Sequence, residues 1–247
     1  MENDFKDKVV LVTGGAGGIG KAIAKKFGSR GGRIALIDIN DEKLHEAVKD
    51  ITDETGAETT PYVCDISSED NVKEVFETII ANLKRIDVVV NNAGLMLFKP
   101  LEEQTLADWQ KIFSVDLFGA FFFIKYAFLN MKPGGAIVNV SSIHARETEP
   151  MIAPYAAAKS ALLSLTRSAS LEGKPKGIRI NAVLPGAVDT PMLWDNPNVK
   201  SGVEKINPAD VGKPEDIADA IVYLCSDSAA FIQGAMLTVD GGRLDRL

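Results

Sequence analysis

A tyrosine and a lysine four residues apart, Tyr155 and Lys159, stand in a stretch (154–171) whose apolar spacing predicts a helix. Side chains at i and i+4 project from one helical face, so both reach into the same space. The chemistry open to them is proton transfer. A phenol ionises near pH 10 in water, and lowering it by about three units takes about 4 kcal/mol. Unit charges ~4 Å apart at an effective dielectric near 20 interact by a similar amount, so one lysine is expected to bring the phenol down. Ser142 lies 13 residues before Tyr155, at the end of an apolar strand-like run, and can hydrogen-bond an oxygen of a bound molecule. The alternative for Tyr155 alone is a tyrosine at the edge of a core, with its hydroxyl in water.

A second constellation is built to hold phosphate. Thr13-Gly14-Gly15-Ala16-Gly17-Gly18-Ile19-Gly20 follows the first apolar run and leads into an amphipathic helix at 21–29. A glycine-rich turn at a helix N-terminus offers backbone N–H groups and the positive end of the helix dipole to a pyrophosphate. The alternative is a tight strand–helix turn with no ligand. Gly15 to Lys21 also match the G-x-x-x-x-G-K of nucleotide triphosphatases, but Ala22 has no oxygen for magnesium, which makes that function remote and leaves Lys21 a solvated residue. The second run ends at Asp38, about 20 residues beyond the glycines, where a ribose would lie. Its carboxylate accepts from ribose hydroxyls and repels a 2′-phosphate, favouring NAD over NADP. Asp38 could otherwise cap a helix beginning near Asp41.

The elements that must position these groups alternate. Short apolar runs at 9–12, 33–37, 59–63, 86–91, 136–140, 177–183 and 235–239 recur at a pitch of roughly 25 to 35 residues, separated by amphipathic stretches. Most are continuous rather than alternating, which implies strands buried on both faces. The expected fold is α/β: a doubly wound (Rossmann) parallel seven-stranded sheet with helices on both faces, in a single domain over 1–247. The Pro/Asn-rich stretch 191–208 reads as a substrate-binding lid within it.

At 247 residues, 46% hydrophobic and 25% charged, the chain has the balance of a soluble globular protein. Residues 1–8 carry no apolar leader and no long uncharged run is apparent, so a cytoplasmic protein with no membrane partner is expected. A net charge of −7 with scattered Lys and Arg argues against nucleic acid. Cys64 and Cys225 read as reduced core thiols, and His45 and His144 lack ligand-spaced companions, so no metal is expected.

Taken in order, the 13–20 turn, Asp65 after the third strand, Asn91-Asn92-Ala93-Gly94 after the fourth, Ser142 after the fifth, Tyr155-x-x-x-Lys159 and Pro185-Gly186-x-Val188-x-Thr190 make the chain strongly resemble the short-chain dehydrogenase/reductase family, end to end. The resemblance implies NAD-dependent hydride transfer between the nicotinamide and a secondary alcohol or ketone. Tyr155 would take the alcohol proton, Lys159 would lower its pKa and grip the ribose, and Ser142 would orient the carbonyl. It places Asp65 and Ile66 beside the adenine, Asn92, Ala93 and Gly94 along the cofactor cleft, and Val188 and Thr190 at the nicotinamide carboxamide. The expected cofactor contacts also include Gly14, Gly17, Gly18, Ile19, Gly20, Asp38, Ile39, Tyr155, Lys159, Pro185 and Gly186. The family usually has asparagine, helping to hold a relay water, where this chain has Asp116. Its charge would alter the pKa of Lys159, so either the relay works with altered pH dependence or the chain binds NAD as a regulator without turnover. Retained activity is the reading taken, because Ser142, Tyr155 and Lys159 are intact.

The substrate pocket is expected to be mostly apolar, bounded by Leu95, Met96, Leu97, residues 143–151, and Met192, Leu193 and Trp194 of the lid. Ser142-x-His144 is similar to the Ser-x-His of bacterial glucose dehydrogenases in this family, where the histidine touches a sugar hydroxyl, although the carboxylate those enzymes place after Asn-Asn-Ala-Gly is missing here. An exposed loop histidine is the alternative. Sugars and polyols therefore stand beside secondary alcohols and cyclic ketones as small-molecule substrates, and a 3-oxoacyl thioester reductase is a further alternative that Asp38 disfavours. Phe118 and Phe121-Phe122-Phe123-Ile124 make a helix apolar on more than one face. Family members pair through this helix and the tyrosine helix, with 238–247 at another interface, so a homotetramer is expected.

Overall fold

The computed structural model describes residues 4–244. Seven parallel strands form one sheet in the order β3-β2-β1-β4-β5-β6-β7: β1 (Val9–Thr13), β2 (Arg33–Asp38), β3 (Thr59–Val63), β4 (Val88–Asn91), β5 (Ala136–Val140), β6 (Arg179–Pro185) and β7 (Met236–Val239). The chain starts at β1 in the middle, winds outward to β3, then returns to β4 and winds the other way. That reversal opens a crevice beyond the carboxyl ends of β1 and β4.

Alternation within the strands shows why they read as continuous apolar runs. Val10 and Val12 of β1 and Ile34 and Leu36 of β2 enter one core cluster, and Val9, Leu11, Ala35 and Ile37 enter the other. The first cluster is covered by α1 (Gly18–Gly28), α2 (Asp41–Thr55) and, late in the chain, α9 (Pro214–Cys225), which supply Ile23, Phe27, Leu44, Ile51, Ile217 and Ile221. The second is covered by α3 (Glu69–Leu83), α5 (Ala120–Asn130) and α6 (Ala153–Gly173). Between α3 and α5 runs α4 (Leu106–Phe113), started by a reciprocal cap in which Thr105 Oγ1 accepts from the Asp108 N–H and Asp108 accepts from the Thr105 N–H. Asn40, not Asp38, caps α2, its side chain accepting from the Lys43 N–H at 2.9 Å.

The region 191–208, expected to be a lid, contains two short helices, α7 (Pro191–Trp194) and α8 (Pro197–Lys200), and buried Asn198 there donates to the Pro150 carbonyl. Residues 106–130 form one continuous helical run, α4 through α5, that is long and apolar enough to cross a membrane by length and composition. In the fold α5 packs against β4 and α4 against α6, and the middle of the run carries the buried carboxyl of Asp116. Of the terminal segments, 1–3 and 245–247 lie outside the described residues.

Cys64 and Cys225 are both buried. Burial, with Asp65 adding its charge at Cys64, pushes each thiol up to about 12. Since the thiolate is the reactive form, a maleimide at pH 8 is expected to label neither cysteine in the native protein and both after denaturation. Rapid labelling of the native protein would contradict this packing.

Candidate active site

The crevice is assembled by hydrogen bonds between strand ends. Thr13 Oγ1, at the end of β1, accepts from the Asn92 and Ala93 N–H groups, each at 3.0 Å, and donates to the Val90 carbonyl. The Asn92 amide donates to the Thr13 and Gly14 carbonyls. The glycine turn and the segment after β4 are thereby locked together. Gly20 allows the turn to close, because a Cβ there would sit 2.1 Å from the Gly14 carbonyl oxygen. Gly17 has no such internal reason: it has φ −83°, and a Cβ would meet only the Gly14 oxygen at 3.5 Å. The space before α1 is open, and the N–H groups of Gly18, Ile19 and Gly20 have no intrahelical acceptors there. A phosphate-bearing ligand fits this cradle. Lys21 points away and pairs with Asp50, and Ala22 is buried.

The opposite wall comes from α6. A buried polar chain fixes this helix to the sheet: Asn91 donates to Asn139, and Asn139 to Thr166 Oγ1, each at 2.8 Å, and Thr166 donates on to the Leu162 carbonyl. Nearer the crevice, Ser141 Oγ donates to the Lys159 carbonyl at 3.0 Å. Pro154 in the first turn of α6 needs no hydrogen-bond partner there. Tyr155 and Lys159 thus share one face, with the ammonium 5.6 Å from the phenol ring centroid. Ser142 Oγ, beyond β5, accepts from the His144 N–H and hydrogen-bonds the Tyr155 side chain.

Asp116 meets the same group. It lies in a π-helical turn, Ser114–Gly119, joining α4 to α5. Its Oδ2 is 3.2 Å from Lys159 Nζ and its Oδ1 accepts from the Leu95 N–H at 2.9 Å. Lys159 Nζ also donates to the Val140 carbonyl at 3.1 Å. Burial raises the Asp116 carboxyl above the usual carboxylate range, against the pull of Lys159 and the Leu95 N–H. Burial also works to lower the Lys159 ammonium, but Asp116 and Tyr155 outweigh it and hold the lysine above its ordinary value. The expectation of a lowered phenol is not met in the free protein. Burial raises Tyr155, Lys159 opposes, Asp116 adds to the rise, and the Ser142 hydrogen bond opposes it. The carboxyl beside the lysine offsets part of its pull on the phenol.

One cavity of about 570 Å³ runs from the glycine turn to these groups. It is lined by Gly14, Gly17, Gly18, Ile19, Gly20 and Asp38 at one end, by Asn92, Ala93 and Gly94 in the middle, and by Ser142, Tyr155, Lys159, Pro185, Gly186, Val188 and Thr190 around the other end. Asp38 accepts from the Ala16 and Asn40 N–H groups, each at 3.1 Å, and Lys43 stands on the same stretch of wall. Met96 and His144 also line it. Asp65, Ile66, Ile39 and Trp194 do not. Asp65 accepts from Ser67, Ile66 is buried in the core, Ile39 is exposed, and the Trp194 indole donates to Asp189 at 2.7 Å. Leu95 and Leu97 pack behind Tyr155 with Ile112 and Ile152.

The substrate end is more polar than the sequence suggests. His144 is not an exposed loop residue, and its Nδ1 is buried without a hydrogen-bond partner among the described residues. Asn196, Glu204 and Arg243 complete the wall and were missed by sequence reasoning, since they meet only when the lid and the C-terminal segment fold back. Asn40 and Lys43 could have been found from the cap that starts α2.

A family model described as "Enoyl-(Acyl carrier protein) reductase" matches residues 14–243. The chain is 36% identical to 3beta-hydroxysteroid dehydrogenase 1 of Eggerthella lenta, over 98% of this chain and 95% of that one. Among solved structures it resembles levodione reductase with a TM-score of 0.91 at 32% identity, covering 98% of this chain and 100% of the other. It also resembles a short chain dehydrogenase from Burkholderia cenocepacia J2315, solved in complex with NADP, with a TM-score of 0.89 at 28% identity over 97% and 98% of the two chains.

Removing the carboxyl charge removes one of the influences that raise the phenol. In Asp116→Asn, with tyrosines labelled at the ring carbon bearing oxygen, the Tyr155 NMR titration is expected to move to lower pH than in the wild type. An unmoved midpoint would detach Asp116 from the phenol.

Proposed function

Because the chain belongs to the short-chain dehydrogenase/reductase family, we propose that it is an NAD-dependent oxidoreductase acting between secondary alcohols and ketones. The observation that carries this reading is that a single cavity is lined both by the glycine turn and by Ser142, Tyr155 and Lys159. When bound, the dinucleotide supplies the hydride acceptor and, oxidised, a positive charge on its ring. The Gly17–Gly20 backbone would hold its phosphates and Asp38 its adenosine ribose. On the protein's side, Ser142 Oγ holds the reacting oxygen, and the ionised Tyr155 oxygen takes the alcohol proton as the carbon–oxygen bond becomes a carbonyl. Lys159 favours the ionised phenol, and Asp116 moderates it. The apolar ring of Leu95, Leu97, Ile112 and Ile152 behind Tyr155 keeps water from its inner edge.

The preference for NAD rests on Asp38, whose carboxylate would repel a 2′-phosphate. Lys43 on the same wall offers the opposite charge, which makes the parallel NADPH assay necessary. The ion pair of Asp116 with Lys159 favours a second reading, an NAD-binding regulator without turnover, because it takes charge away from the phenol.

Assays following NADH or NADPH absorbance over a panel of secondary alcohols, polyols, sugars and ketones are expected to show turnover with NADH preferred. Tyr155→Phe is expected to lower kcat by about 10²-fold or more while NAD still binds. Activity near wild type in that variant would reject the role of the phenol. NAD binding with no turnover on any compound would promote the regulator.

We further propose a cytoplasmic homotetramer. Phe118 and Phe121 on the outer side of the α5 region are 47% and 41% exposed, an apolar face that a partner helix would cover. Sedimentation is expected to give four chains, and a monomer would exclude this arrangement.

A further inference from the structure

At the substrate end of the cavity two carboxyls from separate parts of the chain meet. Glu149 belongs to the segment after β5 and Glu204 to the lid. Asn196, 4% exposed, bridges them, donating to Glu149 Oε1 at 3.0 Å and to Glu204 Oε2 at 3.1 Å. Arg243, from the segment after β7, is ion-paired with Glu204. Glu204 also hydrogen-bonds Glu149 directly. Ionised carboxylates only accept, so this last bond exists only while one of the two carboxyls holds a proton. No N–H group among the described residues reaches the buried Glu149 Oε2, which leaves that carboxyl hydrogen to satisfy it.

We infer that this proton latches the lid over the cavity, and that losing it parts the lid from the segment after β5. The latch is a property of the free chain and does not depend on the proposed reaction. Met192, Leu193, Asn196 and Glu204 of the lid line the main cavity, so the lid's position governs access to the substrate end. With both carboxyls ionised, Arg243 still holds Glu204 while Glu149 repels it, and the lid stays with the C-terminal segment as it leaves the Glu149 side. The uncharged tie from Asn198 to the Pro150 carbonyl remains as the point about which it turns.

Burial first, and then the hydrogen bond with Glu149 and its charge, raise the Glu204 carboxyl from 4.5 to about 7, against the pull of Arg243. A proton held more tightly in the latched state than in the open one stabilises the latch. That contribution is full below the ordinary carboxyl value of 4.5 and is lost as pH rises through about 7. His144, Lys205 and Asp210 are the other titratable or charged groups around the cluster. Burial, its largest influence, holds the His144 imidazole below its ordinary value against the pull of Glu149, so the ring is neutral where the latch opens.

Hydrogen exchange of the full chain without substrate, corrected for the intrinsic effect of pH on amides, reads the latch. The N–H groups of Lys200, Ser201 and Glu204 bond within the lid, and so short a helix as α8 does not hold by itself, so their protection reports docking of the lid. Between about pH 5.5 and about pH 8 that protection is expected to fall by about tenfold or more, while that of α3 is unchanged. Glu149→Gln offers Glu204 an amide hydrogen at every pH and no charge to repel it, so its lid is expected to lose about threefold or less, the share left by burial of Glu204. Should that variant not fold, Glu149→Met, which has no charge, is expected to give the same shallow profile. Wild-type protection that does not change with pH, a fall shared by α3, or an undiminished fall in a folded variant would overturn the latch. None of these readings involves turnover, so the latch and the dehydrogenase stand or fall separately.

Discussion

The ammonium of Lys159 is buried, and a buried cation is tolerated only where fixed oxygens surround it. Here the oxygens come from the end of β5, through Val140, and from the α4–α5 helix, through Asp116. The lysine itself sits on α6, whose backbone is tied to Ser141. Three elements of the second half of the fold are thus held to one charge. Tyr155, one turn earlier on the same helix, takes its position and its ionisation from that arrangement. Replacing the lysine by an apolar residue would leave Asp116 as an uncompensated buried carboxyl, so the pair is bound together structurally whatever its net contribution to stability.

The first half of the fold depends on a different device, a neutral hub at Thr13. Its hydroxyl serves two N–H groups and one carbonyl, so the turn after β1 and the loop after β4 move as one body. The two halves meet along the topological reversal between β1 and β4, and the cavity is the gap between them. A phosphate cradle therefore lies on one bank and an acid–base group on the other, without either being built on a flexible segment.

The strands were legible because both faces of the sheet are covered, which leaves unbroken Val, Ile, Leu and Ala runs, and the glycine turn because its spacing is local. Tyr155 and Lys159 were legible because helical geometry alone puts i and i+4 together. What sequence spacing could not convey was the environment: burial raises the Tyr155 phenol, and the carboxyl of Asp116, which approaches Lys159 through tertiary packing, adds to that rise. The polar far wall was hidden for a related reason. Glu149, Asn196, Glu204 and Arg243 are spread over almost a hundred residues, and no local pattern joins them. Trp194 shows the opposite error, since a large aromatic in a lid suggests a substrate contact, yet a single hydrogen bond to Asp189 turns it outward.

The π-helical turn at Ser114–Gly119 places an extra residue in an otherwise regular helix. Everything after it on α5, including Phe121, is rotated relative to α4, while Phe118 and Asp116 lie within the turn itself and Asp116 meets the lysine. Trimming one residue from that turn would restore ordinary pitch and, in the same stroke, withdraw the carboxyl and re-aim the aromatic face. Insertions and deletions at this point would therefore be inherited as coupled changes in charge placement and self-association, and a lineage could not drift in one while holding the other.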